Sequence, residues 1–146
     1  MKATEARTTL LAQHERIRLQ LGRCAQLARL HRAGQAIGDE LDAALGKLRS
    51  DLGEHNQDET TIIGQLLHGP AAWGSLLLDR MLEEHVAEHA AFWELLSGPS
   101  AQVVGRIDDL VEEIDAHMLA EERTFLSPVT LHDDVIRVRT REHVNE

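Results

Sequence analysis

The chain has 146 residues, 42% hydrophobic and 27% charged, the balance of one globular domain with its own core rather than of a disordered or fibrous chain. A formal charge of −10 argues against nucleic acid or an anionic membrane surface as the main partner, and no apolar run approaches the roughly 20 residues of a membrane span. Cys24 is the only cysteine, which excludes an intrachain disulfide and fits a reducing cytoplasm; the polar stretch Met1 to Thr9 does not read as a signal peptide.

With three prolines, no tyrosine and an excess of Ala, Leu, Glu and Arg, the composition favours helix, and no strand signal of any length appears. From about Thr4 the series Leu10, Leu11, His14, Ile17, Leu21, Ala25, Ala28 has helical period and ends near Arg32, before the loop Ala33 to Gly38. Asp39 is the expected N-cap of a second helix with the stripe Leu41, Leu45, Leu48, Leu52, His55, Glu59, Ile62, Ile63, Leu66, stopped by His68-Gly69-Pro70. A third helix starts between Pro70 and Ser75 and runs to Leu96. The turn Ser97-Gly98-Pro99-Ser100 follows, with Ser100 as the expected N-cap of a fourth helix. That helix carries Val103, Ile107, Leu110, Val111, Ile114, His117, Glu121 and Phe125 and ends before Pro128. The expected fold is all-α: an antiparallel up-down-up-down four-helix bundle over residues 1–128, then a short charged tail, 129–146, with room for a short extra helix.

Histidine is the compositional outlier, with nine in the chain. His85 and His89 lie about 40° apart around their helix at roughly 100° per residue, so both imidazoles leave one face. Leu78, Leu82, Phe92 and Leu96 lie on or beside that face, which is therefore apolar. In an antiparallel hairpin, residues equidistant from the turn share a level. The midpoint of His14 and His55 falls between Gly34 and Gln35, that of His55 and His85 on Pro70, and that of His85 and His117 on Ala101, each in or just past a turn. All four helices thus bring histidine to one level.

His14, His55, Glu59, His85, His89, His117 and either Glu121 or Glu122 are therefore expected to converge in the core. A single histidine on an apolar face is most simply a hydrogen-bonded core residue. Five at one level, with two carboxylates, would cost several kcal/mol per unpaired charge, and a metal resolves that cost. His31 and His68 fall off the inner faces and His132 and His143 lie in the tail, so these four read as solvated. Seven ligands exceed one tetrahedral zinc and suit two ions bridged by carboxylates, with iron favoured over manganese or zinc. No Glu is followed three residues later by His, which disfavours the ferritin-like di-iron pattern. On the helical wheel Glu121 is about 40° from His117, whereas Glu122 is about 140° away, so geometry favours Glu121. Arg18 sits on the inner face near His14, placed to pair with a carboxylate. Cys24, Trp73, Phe92, Trp93 and Phe125 read as packing residues, one of the aromatics being a candidate wall of a ligand pocket.

His14-Glu15, His55-x-x-x-Glu59, His85-x-x-x-His89 and His117-x-x-x-Glu121-Glu122 together resemble the hemerythrin family and its HHE cation-binding relatives, over about residues 5 to 128. The resemblance implies that His85, His89 and His117 hold one iron and His14 and His55 the other, with Glu59 and the fourth-helix carboxylate bridging the two Fe ions beside an oxo or hydroxo group. The second iron would then be one ligand short, and O₂, peroxide, NO or azide would bind there, walled by Leu11, Ile17 and Leu21. The spacing of the respiratory members would select Glu122 rather than Glu121. The function implied is O₂ or other small-ligand binding; the alternatives are an enzyme dismutating peroxide or reducing NO, or iron sequestration or sensing.

Overall fold

The computed structural model describes residues 2–67, 75–124 and 126–127, with side chains described outside 63–67 and 75–82. Among the described residues there are four α-helices and no strand: α1 (Ala3–Arg32), α2 (Gly38–Leu67), α3 (Ser75–Leu96) and α4 (Ser100–Arg123). The stop at His68-Gly69-Pro70, the side chains of Trp73, Leu78, Leu82 and Phe125, and the tail 129–146 lie outside the described residues.

The buried positions of α1 (Ala3, Ala6, Leu10, His14, Ile17, Leu21, Cys24, Ala28) step by three and four, which keeps one stripe of the helix turned inward. α1 ends in a Schellman turn: Gly34 adopts φ 92°, its N–H donates to His31 O, and Gln35 N–H reaches back to Leu30 O. That positive φ is the conformation a glycine adopts without strain, which places the loop to α2.

Two helix starts lie earlier than expected, that of α2 by two residues and that of α4 by one. Leu41 N–H donates to the carbonyl of Ile37, so the cap position is Ile37; Asp39 lies inside the first turn of α2, where with Glu40 it complements the helix dipole. Pro99 holds the cap position of α4, with its carbonyl taking the N–H groups of Gln102 and Val103. Ser100 is instead the first helical residue, and its hydroxyl donates to Asp42 Oδ1 at 3.0 Å, tying α4 to α2. α4 ends at Arg123, where Thr124 leaves the helix and its hydroxyl returns to Ala120 O at 2.7 Å.

α1 packs on α2 and α4, and α3 packs on α2 and α4, around one apolar core. Its centre is Leu21, Cys24, Leu45, Leu48, Leu96, Ile107, Leu110 and Ile114, all at most 2% exposed. Truncating one of these leucines or isoleucines to alanine removes about 2–5 kcal/mol. Cys24 is a packing residue, and burial pushes its thiol up to about 11. Trp93 is 44% exposed and lies over Gly53, where an added Cβ would meet the indole at 3.0 Å, so the glycine permits that close approach of α3 to α2. Above this core the same inward stripes change from leucine to histidine and glutamate.

Candidate metal centre

Each helix delivers its part of the centre by helical spacing alone. α1 supplies His14 one turn from Ile17, α2 supplies His55 and Glu59, α3 supplies His85 and His89, and α4 supplies His117 and Glu121. All except His117 are buried, and the His117 side chain is 10% exposed.

These side chains form two groups that share one residue. His85, His89, His117 and Glu121 bring four potential ligand atoms within 4.8 Å of one another, and His14, His55, Glu59 and Glu121 do the same. Both carboxylates span the pair. Glu121 Oε1 faces His117 Nε2 (2.5 Å), His85 Nε2 (3.5 Å) and His89 Nε2 (3.6 Å), while its Oε2 faces His14 Nε2 (3.1 Å) and His55 Nε2 (3.8 Å). Glu59 Oε1 contacts His85 Nε2, while its Oε2 faces His55 Nε2 at 2.7 Å and His14 Nε2 at 3.7 Å.

The outer nitrogens of three rings decide what the inner nitrogens can do. His14 Nδ1 lies 2.6 Å from the Glu122 carboxylate, and His117 Nδ1 contacts the Glu88 carboxylate. His55 Nδ1 lies 2.8 Å from Gln13 Oε1, whose amide orientation is set because Gln13 Nε2 donates to Asp58 at 2.8 Å. All three partners are acceptors, so each Nδ1 carries a proton and, whenever the ring is neutral, Nε2 presents the lone pair. His14 Nε2 and His55 Nε2 then oppose each other at 3.1 Å, and both face carboxylate oxygens. Glu59 Oε1 and Oε2 and Glu121 Oε1 are buried and accept no well-aligned hydrogen bond. Lone pairs converging on lone pairs in a dry interior require positive charge between them. The donor set therefore fits metal ions.

The titration behaviour points the same way. Burial alone would lower His14, yet the adjacent Glu121 and Glu59 carboxylates push it up to about 10. His55 is raised by the same two carboxylates against burial, and His117 by Glu121 and Glu88 against burial. His89 is lowered, chiefly by burial. Burial pushes both carboxylates upward, but contacts with the imidazoles hold Glu59 and Glu121 below the usual range; hydrogen bonding to Glu59 adds to the lowering of Glu121. The carboxylates thus favour positive charge on the imidazoles, which protons supply where no other cation is bound.

The two glutamates at the end of α4 have different places. Glu121 belongs to both groups, whereas Glu122 is outside them, behind His14, where it also receives Arg18 Nη2 at 2.7 Å. Arg18 further holds Asp115 Oδ1 (3.0 Å) and Glu15 Oε1 (2.8 Å), so it pairs with carboxylates at the rim. Phe92 is buried with its ring 5.5 Å from that of His117, whereas Trp93 lies outward on Gly53. His31 is exposed as expected; His68, His132 and His143 lie outside the described residues. Gln13, Asp58 and Glu88 were not legible in advance. Gln13 is the one buried uncharged polar side chain among the described residues, and its place beside His14 on the inward stripe is a signal available in the sequence. Comparison with protein-family models, with curated proteins and with solved structures found no match.

Proposed function

We propose that this chain is a hemerythrin-like di-iron protein that binds O₂, or another small ligand such as peroxide, NO or azide, beside two iron ions in an up-down-up-down four-helix bundle. The observation that carries the reading is the shared pair of carboxylates: Glu121 turns one oxygen to His85, His89 and His117 and the other to His14 and His55, and Glu59 turns one oxygen to His85 and the other to His14 and His55. The antiparallel course is supported by contacts at both ends. Arg32, closing α1, donates to Val104 O near the start of α4, and Arg7, near the start of α1, donates to Leu126 O just past the end of α4.

His85, His89 and His117 would hold one ion and His14 and His55 the other, with Glu59 and Glu121 contributing to both. Nitrogen and oxygen donors in this number exceed a closed tetrahedral zinc site and suit a pair of iron ions. Bound iron would supply a redox-active, Lewis-acidic centre for a small ligand. The chain's own residues do the rest. Glu122, Gln13 and Glu88 fix the tautomers of His14, His55 and His117, which keeps each Nε2 a ligand. Ile17 and Phe92 close the inner side with apolar surface that excludes water. The second group has one imidazole fewer, so the small ligand is expected beside His14 and His55.

Anaerobic loading of the chelator-treated chain with ferrous ion, followed by metal analysis and optical spectra under air, peroxide and azide, tests the reading. About two irons per chain and an azide-sensitive spectrum are expected. Reproducible recovery of one zinc, or no iron uptake, overturns it. Reversible O₂ uptake identifies a carrier or store, and peroxide consumed over many turnovers with O₂ release identifies an enzyme. A spectrum indifferent to azide and peroxide alike leaves sequestration or sensing.

A further inference from the structure

The two histidine groups differ in their relation to solvent. His14, His55 and Glu59 are at most 1% exposed, whereas His117, in the other group, has 10% of its side chain exposed. A cavity of about 140 Å³ opens between α3 and α4 at that side. His85, His117 and Glu121 form its floor; Glu84, Glu88 and Thr124, all exposed, form its mouth.

Glu84 and Glu88 are one helical turn apart on α3, so their carboxylates stand on the same face above the opening. They focus a negative potential on a narrow, partly desolvated opening, and a cation there is drawn inward. On the floor lies Glu121, 2% exposed, with Oε1 accepting no well-aligned hydrogen bond. Glu88 links the two ends: its carboxylate is 57% exposed and also receives Nδ1 of His117, a residue of the floor. A cation held at Glu88 is therefore one side chain away from the three-histidine group.

We propose that Glu84 and Glu88 form an acidic vestibule through which divalent cations reach the centre from solvent, arriving first at His85, His89 and His117. The proposal rests on the two-ion reading above and adds the route by which the ions load. Glu88 is then a positioning residue with two roles, keeping His117 in its ligand tautomer and attracting the incoming ion.

The experiment follows Co²⁺ uptake by the chelator-treated full chain in stopped flow, read from the visible absorbance of the bound ion. The double variant Glu84→Gln/Glu88→Gln removes both charges, and the amide oxygen of Gln at 88 can still accept from His117 Nδ1. It is expected to load about tenfold more slowly at low salt, with the difference fading toward roughly 0.5 M salt as screening removes the steering; Glu84→Gln alone, which leaves Glu88 on His117, is expected to bind the same amount of Co²⁺ at equilibrium. The control Asp39→Asn/Glu40→Gln removes the same charge about 25 Å away along α2 and is expected to load like the unmodified chain. Equal rates in the vestibule variant and the unmodified chain overturn the proposal, as does equal slowing in the control, since net charge alone would then govern uptake. Loss of equilibrium binding in Glu84→Gln also overturns it, because Glu84 would then hold the ion rather than pass it on. An unmodified chain that takes up no Co²⁺ instead fails the two-ion reading itself, so the two failures are distinguishable.

Discussion

The two halves of the centre are built from the same two carboxylates and yet differ in depth and support. On the two-histidine side the outer nitrogens of His14 and His55 rest on Glu122 and Gln13, which are braced in turn by Arg18 and Asp58. On the three-histidine side the support observed for His117 is Glu88, an exposed carboxylate at the rim of a cavity. One half is locked and dry, the other anchored at the surface. Where the outer partner of a ligand sits determines whether a site is protected or reachable. In this molecule the group with fewer imidazoles is the protected one, while the access that is visible lies beside the group with more.

The most severe way to break this comparison is to remove what the halves share. Glu121→Ala deprives both groups of a carboxylate oxygen and is expected to abolish the paired binding of iron, read by metal analysis. Chelator treatment of the iron-loaded chain should have a related effect: at metal concentrations 100-fold above the dissociation constant, binding contributes about 2.7 kcal/mol, or roughly 5–10 °C in Tm for a domain of this size. An unchanged melting curve after chelation would contradict a metal that stabilises the fold.

Removing one half should leave the other. His14→Ala is expected to reduce iron from two per chain to about one, with the three-histidine group still occupied. His117→Ala is expected to cost more, since on the proposed loading route it removes one of the three imidazoles an entering ion meets first. If both variants lose all metal, the halves are one cooperative site and the distinction drawn here fails.

The comparison can also be sharpened by pH. His14, His55 and His117 have raised values, so protonation stabilises the metal-free fold. That contribution is complete below the ordinary histidine value of about 6.5 and declines as pH rises, for His14 through about 10. The Tm of the chelated protein should therefore fall between pH 6.5 and 10. Metal binding displaces these protons, so the gap between loaded and metal-free protein should widen over the same range. Equal pH slopes for the two forms, measured by thermal unfolding, would mean the imidazoles are not the groups being exchanged.

Smaller effects are expected from the braces. Glu122→Ala should preserve a stoichiometry of two at saturating iron while weakening the His14 side by about 10- to 100-fold, measured by competition with a chelator. Loss of the second ion from Glu122→Ala but not from Glu121→Ala would return the bridging role to Glu122. His31→Ala, on the exposed face of α1, should change stability by less than about 0.5 kcal/mol and leave metal content alone.

Periodicity made the helices and the level of the centre legible before any coordinates. A helix projects its side chains at fixed angles, so an inward leucine stripe that changes to His55 and Glu59, or to His117 and Glu121, already specifies which residues share a face and at what height. The choice of Glu121 over Glu122 as the inward glutamate followed from the same angles. The caps were less legible: Asp39 and Ser100 are good capping types, but Ile37 and Pro99 take the positions because helix starts depend on the path of the preceding turn. The partners of the outer ring nitrogens were not legible either. Glu88 meets His117 only because α3 lies beside α4, and Gln13 meets His55 only because α1 lies beside α2; neither pairing has a local signature. The local periodicity of the chain thus determined which side chains point inward, since that depends on one helix at a time. Which nitrogen of each histidine faces the centre, which half is sealed and where solvent reaches it were decided by the packing of helix on helix, because those properties belong to pairs of helices.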